Sequence, residues 1–212
     1  MARSPQRPFV WASDAGGCLR TSDNGPWRKL RLPRELVVLL ACLALGGCHG
    51  AVPAAETEGD PLLVLRSTSF QDSRFANAFT CNGANKSPAL NWSAPPAATR
   101  SLALILYDED TPGSGFVHWV LFDLPPTALS LAETVPASAQ LPDGSRQGRN
   151  DFGDLGYGGP CPLGHSQHHY IFVLFALDKK LNLPAGASRV DVDTSMRGHV
   201  LARGTLVETF SR

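Results

Sequence analysis

The residues able to do chemistry fall in three short segments. The first is Tyr107-Asp108-Glu109-Asp110-Thr111-Pro112, at the end of an apolar run. The second is His118, early in the next apolar run. The third is residues 153–170, reading G-D-L-G-Y-G-G-P-C-P-L-G-H-S-Q-H-H-Y. An imidazole set among apolar neighbours needs partners for its ring nitrogens, and an aspartate ending an adjacent strand is a natural one. Asp108, His118 and His168 are therefore expected to converge. Asp108 would orient a histidine, raise its pKa and keep it cationic. Glycine-rich loops present backbone N–H groups in concave nests that suit oxyanions. The joint expectation is a small anion site built from imidazoles and loop amides.

The elements that must position these residues read as β-strands. Residues 101–107, 116–124 and 170–178 are each apolar on both faces. Such strands lie in the middle of a sheet and are covered on both sides. A period of two puts His118 with Val120 and Phe122, and Trp119 with Leu121 and Asp123. It likewise puts His168 with Tyr170 and turns His169 the other way. Residues 62–65 add a short apolar strand. Pro and Gly cluster between the strands (Pro95-Pro96, Pro112-Gly113, Pro125-Pro126 and 156–162), marking turns and long loops. Two segments look helical, 194–203 and, more weakly, 69–75. Residues 62–212 thus read as one mainly β domain.

Composition narrows the classes. Of 212 residues, 43% are hydrophobic and 18% charged, enough apolar material for a large core. Nineteen basic residues balance nineteen acidic ones, so no basic excess points to nucleic acid. The balance is uneven along the chain. Residues 1–47 hold seven basic and three acidic residues, net +4, and the remaining 165 hold twelve and sixteen, net −4. A positive block, Arg28 to Arg34, precedes ten apolar residues, Leu36 to Leu45, and then Gly46-Gly47-Cys48. This is the pattern of a secretory signal peptide. Leu45-Gly46-Gly47-Cys48 resembles the lipobox of bacterial lipoproteins, which implies cleavage before Cys48 and its lipidation. Residues 28–47 are then the signal and 48–61 the lipidated Cys and a flexible tether. Residues 1–27 form an unassigned extension. Cys81 and Cys161 remain in the mature part, either as one disulfide or as two buried thiols.

Several motifs, in order, resemble one family. They are Phe79-Thr80-Cys81-Asn82-Gly83, Ser87-Pro88-Ala89-Leu90-Asn91-Trp92, Asp108-x-Asp110-x-Pro112, Phe116-x-His118-Trp119-Val120, Gly158-Gly159-Pro160-Cys161-Pro162 and His168-His169-Tyr170. Together they resemble the phosphatidylethanolamine-binding protein family, in its bacterial, Raf-kinase-inhibitor-like branch. The resemblance implies two packed antiparallel β-sheets with a few short peripheral helices. It implies a surface pocket for phosphate or phosphoryl head groups, lined by Asp108, Asp110, Pro112, His118, Gly159, Pro160, His168 and Tyr170. Glu109 stands where the family usually has Pro, and Leu163 where a second loop Pro is common.

The resulting expectation is a binding protein, not an enzyme. It would be lipid-anchored on the periplasmic side of a bacterial envelope and bind a small phosphorylated or anionic ligand. It would use no cofactor or metal, bind no nucleic acid, and touch membrane only through its anchor. The family also suggests a homodimer and inhibition of a partner protein that nothing in the chain names. Two rivals stand beside this. One is a hydrolase using the His/Asp cleft, although Gly164-His165-Ser166-Gln167-His168 lacks the final Gly of a nucleophile elbow. The other is a zinc site through Cys161, His165 and His168.

Overall fold

A computed structural model describes residues 62–212. The signal, Cys48, the tether and the extension lie outside the described residues. Eight strands and one α-helix follow in order: β1 (Leu65–Arg66), β2 (Leu90–Trp92), β3 (Ser101–Asp108), β4 (Phe116–Leu124), β5 (Ser130–Leu131), β6 (Arg146–Gln147), β7 (His168–Leu177), α1 (Arg189–Met196) and β8 (Val200–Phe210). A 3-10 turn spans Asn77–Phe79. The strands form two antiparallel sheets, ordered β6-β4-β3-β7-β8 and β1-β2-β5. The mainly β, two-sheet architecture is therefore present.

The double-sided apolar character of β3, β4 and β7 has a direct cause. One face of the five-stranded sheet packs Leu104, Leu106, Trp119, Leu121, Phe172 and Leu174 against Leu65, Leu90 and Trp92 of the small sheet. The other face packs Ala103, Ile105, Val120 and Phe122 under Leu181, Ala187, Val192 and Met196. Each large apolar side chain so buried contributes roughly 1.5–3 kcal/mol. Helix α1 starts in a capping box: Ser188 Oγ accepts from Asp191 N, and the Asp191 carboxylate accepts from Ser188 N.

Strict alternation fails along β4. Its register pairs Leu106 with Trp119 and Tyr107 with Val117, so His118 is the extra residue of a bulge. A second irregularity lies between the Leu102–Leu124 and Leu104–Leu121 pairs. His118 accordingly does not side with Val120 and Phe122. Its ring lies 5.2 Å from that of Tyr170, which belongs to the inter-sheet core. Asp123 leaves the side of Trp119 and Leu121 as well. Its backbone is left-handed (φ 59°), and its carboxylate accepts from the amides of Leu181 and Asn182.

Both helical expectations are corrected. The segment 194–203 divides between the end of α1 and the start of β8, with Val200 and Leu201 already in the strand. β8 is hard to read because its inward set, Ala202, Gly204, Leu206, Glu208 and Phe210, mixes small, apolar and acidic residues. Residues 69–75 form turns, with Asp72 and Ser73 at φ 52° and 53°, a conformation no α-helix contains.

Register also lines Asp108, Tyr170 and Glu208 in one row across β3, β7 and β8. Glu208 is only 4% exposed, and its Oε2 has no hydrogen-bond partner. Burial raises its pKa from the ordinary 4.5 to about 7. Between those values the folded state keeps a proton that the unfolded chain releases, so stability falls as pH rises through this window. Above it, an ionised buried carboxylate without a partner costs about 1–3 kcal/mol or more. Glu208→Gln is expected to raise the urea midpoint at pH 8 and barely move it at pH 4.5. Equal shifts at both pH values would contradict this.

Candidate functional site

Three strand ends build the site. The last residue of β3, Asp108, pairs in register with Phe116 at the start of β4 and with Tyr170 near the start of β7. Paired residues on adjacent strands share a face, so these side chains stand side by side. His168, two residues before Tyr170, joins them from the same face of β7. The bulge brings His118 in from β4.

Each group has a defined partner. Asp108 Oδ2 lies 2.7 Å from His168 Nδ1, and Asp108 Oδ1 accepts from the Asp110 amide at 2.9 Å. The carboxylate therefore orients His168, not His118. His118 Nδ1 lies 2.6 Å from the Gly158 carbonyl, an acceptor, so this nitrogen carries the proton. Gly158 N donates back to His118 O at 2.8 Å. The His118 ring is packed edgewise against Tyr170 and Phe152 and tilted against Phe116. Desolvation by these neighbours lowers its pKa below 6.5, against opposing pulls from the Gly158 carbonyl and Asp108. The histidine that Asp108 orients is thus His168, and His118 is shifted toward its neutral form. On a neutral ring held by Nδ1–H, Nε2 is the remaining polar atom.

Tyr170 is fully buried, and its hydroxyl has no hydrogen-bond partner of acceptable geometry. Burial first, then the Asp108 charge, push its phenol well above the usual value. Asp110 lies beside the cluster, its Oδ2 accepting from the His169 amide at 2.6 Å and meeting His169 Nδ1 at 2.9 Å. The amide bond first and the ring second hold its carboxyl below the ordinary range. Glu109, at the position where a proline resembles the family better, donates its N–H to the His169 carbonyl at 3.1 Å. A proline has no such donor.

The glycine-rich loop plays another part than expected. Gly158 N is taken by His118 O, and Gly159 N donates to Asn85 Oδ1 at 2.7 Å. These amides hold the loop to the protein and do not form a receptor for an anion. Gly159 is fixed by close approach: a Cβ there would lie 2.2 Å from the Phe79 carbonyl oxygen. Pro160 is buried behind it, its carbonyl accepting from Cys81 N. Pro112 is exposed in the β3–β4 turn. Asp108, His118, His168 and Tyr170 therefore meet, with Asp110 alongside. Gly159 and Pro160 support from behind.

Cys81 and Cys161 form a disulfide with Cα atoms 5.4 Å apart. Cys161 is then no thiolate ligand, and the zinc alternative through Cys161, His165 and His168 is withdrawn. His165 is exposed, its Nδ1 3.2 Å from Arg212 O.

The family description of phosphatidylethanolamine-binding protein matches residues 66–211. The chain belongs to the phosphatidylethanolamine-binding protein family. Relatives within it include a UPF0098 protein of Methanothermobacter thermautotrophicus, 46% identical over 149 residues, covering 70% of this chain and 98% of the relative. LppC of Mycobacterium tuberculosis, named as a lipoprotein, is 33% identical over 199 residues, covering 85% and 96%. The crystal structure of Escherichia coli YbcL, described as a new member of the mammalian PEBP family, superposes with a TM-score of 0.65 at 31% identity. That superposition covers 71% of this chain and 98% of YbcL.

As site residues, Phe116, Phe152, Asn85 and Asn150 were not singled out from the sequence. Phe116 and Phe152 form the wall that dries His118. Asn150 Oδ1 accepts from the amides of Phe152 and Asp154, shaping the loop that carries Phe152. A polar Asn between charged neighbours in Arg149-Asn150-Asp151 gives a weak signal, although Asn is a common turn former.

An NMR pH titration tests the state of His118. Its midpoint is expected below 6.5, with the proton on Nδ1 in the neutral form. As pH falls below about 6.5, the unfolded chain takes a proton that folded His118 resists, so acid lowers stability through this residue. A midpoint above 6.5 would contradict the buried, neutral assignment.

Proposed function

We propose that this protein binds a phosphate or a phosphoryl head group at the cluster of His118, His168 and Tyr170. The carrying observation is that both imidazoles are held through Nδ1 while the ring of Tyr170 lies 5.2 and 6.5 Å from theirs, its buried hydroxyl lacking a hydrogen-bond partner of good geometry. Each ring then keeps Nε2 for a ligand, and the phenol keeps its O–H. A buried hydroxyl without a partner loses about 1–3 kcal/mol, which a bound oxygen would recover. Hydrogen phosphate offers both donors and acceptors, matching a neutral imidazole and a phenol. The aromatic wall of Phe116 and Phe152 favours a small, shape-selected ligand.

The protein acts as a binder, not an enzyme, and its bound state regulates a partner protein by inhibition. It sits on the periplasmic side of a bacterial envelope, anchored through lipid on Cys48, and works as a homodimer. The lipobox-like sequence supports the anchor, and so does a relative named as a lipoprotein. Several acyl chains, each methylene adding about 0.8 kcal/mol, hold such a protein firmly.

Two outcomes follow. Phosphate or phosphoethanolamine is expected to shift the His118 and His168 ring signals together, and His118→Ala to abolish the His168 response. Unmoved signals with both ligands would overturn the site, and turnover of phosphoesters would favour a hydrolase. In a bacterial host, Cys48→Ser is expected to move the protein from the membrane fraction to the soluble fraction. Membrane retention of that variant would refute the lipid anchor.

A further inference from the structure

We propose that the Cys81–Cys161 bond is an exchangeable disulfide: it takes a dithiol reductant, and its opening frees the loop that carries Gly158. The two sulfurs are not sealed in the core. Cys81 and Cys161 are both half-buried, and the chain after Cys161 runs out through Leu163, which is 91% exposed, before it enters β7. Disulfides that solvent can reach are the labile ones, because exchange begins with attack of a thiolate on a sulfur.

A cation sits on this bond. Arg212 Nη2 lies 3.1 Å from Cys81 Sγ and 3.2 Å from Cys161 Sγ. The Arg212 backbone oxygen faces His165 Nδ1 at 3.2 Å, which keeps the residue over the loop. Among the described residues no side-chain carboxylate pairs with Arg212, so its charge is directed at the sulfurs. A guanidinium beside a cysteine lowers the pKa of its thiol, and a sulfur of lower pKa leaves faster. Because one nitrogen touches both sulfurs, the departing thiolate is stabilised whichever sulfur is attacked. The step balances. One thiolate of the reductant bonds to a sulfur, the S–S bond breaks, and the other sulfur leaves as a thiolate beside Arg212. The second thiolate of the reductant then attacks the mixed disulfide. The reductant ends as a disulfide, and Cys81 and Cys161 end as thiols with two electrons and two protons gained.

The consequence reaches the site through the loop. The disulfide joins the segment around Cys81 to the glycine-rich loop, beside two hydrogen bonds: Cys81 N to Pro160 O, and Gly159 N to Asn85 Oδ1. Gly158, the next residue back, exchanges both of its hydrogen bonds with His118. Once the S–S bond opens, single hydrogen bonds replace a covalent link one turn of chain from that pair. The Gly158–His118 pair then opens more often, and with it the fixed tautomer of the His118 ring.

The protein is treated with dithiothreitol without denaturant, thiols are trapped with iodoacetamide, and the Cys81 and Cys161 peptides are followed by mass spectrometry. Both are expected to become alkylated while the protein stays folded. Arg212→Gln should slow the reduction roughly threefold or more, and Arg212→Lys should restore most of the rate. Arg212 is exposed, so neither variant threatens the fold. Amide hydrogen exchange gives the second reading. In the reduced protein, and in the Cys81→Ser/Cys161→Ser double variant, Gly158 N–H should exchange roughly tenfold faster or more, while Ile105 and Val173 in the central ladder keep their protection. Equal reduction rates in wild type and Arg212→Gln would overturn the proposal. So would unchanged exchange at Gly158, or loss of protection at Ile105 and Val173 along with it. No phosphate enters these measurements, so their failure is separate from failure of the phosphate reading.

Discussion

Two hydrogen bonds run in opposite directions between His118 and Gly158, and the site depends on them. The Gly158 amide donates to the His118 backbone, while the His118 ring donates to the Gly158 carbonyl. The first bond ties the long loop before β7 to strand β4. The second fixes the tautomer of the ring. The second needs the extra residue of β4, because the bulge turns the His118 ring to the Tyr170 side. The loop in turn is held from behind by Asn85 and by the Cys81–Cys161 disulfide. A closed loop of some 80 residues, once cross-linked, removes about 4–5 kcal/mol of unfolded-state freedom in the chain-entropy model. That constraint falls on the segment that positions His118.

The three central strands and their burial on both faces were legible because long apolar runs have few other uses in a domain of this size. The convergence of Asp108, His118, His168 and Tyr170 was legible as well, from strand ends and from a family resemblance carried by several motifs in order. The bulge was not. Period-two counting assumes an unbroken ladder, and nothing in Phe116-Val117-His118-Trp119 announces the extra residue. Its effect was to misassign the face of His118 and, with it, the surroundings that set its charge. β8 was missed for a different reason. Its inward face holds Gly204, where a Cβ would meet the Leu63 carbonyl, and Glu208, so its hydrophobic alternation is masked. The glycine loop was read as a nest because glycine permits one. Glycine at 159 is needed instead for close packing on Phe79.

The electrostatics follow from these placements. Residues 48–212 carry a net charge of −4, and the site holds two aspartates. Asp108 orients His168, and Asp110 is committed to His169. His118 is dried by Phe116 and Phe152 and takes a proton less readily than a free imidazole. Selectivity then comes from shape and from hydrogen bonds with fixed donors and acceptors, not from a broad positive field. A site of this kind discriminates between ligands by leaving its buried polar atoms unpaired when the wrong one enters.

A high-resolution crystal structure grown with phosphate tests the central claim most directly. The account predicts one phosphate in contact with His118 Nε2, His168 Nε2 and the Tyr170 hydroxyl, with Gly158 N still bonded to His118 O. A phosphate seated instead on freed amides of Gly158 and Gly159, with His118 rotated away from the Gly158 carbonyl, would contradict it.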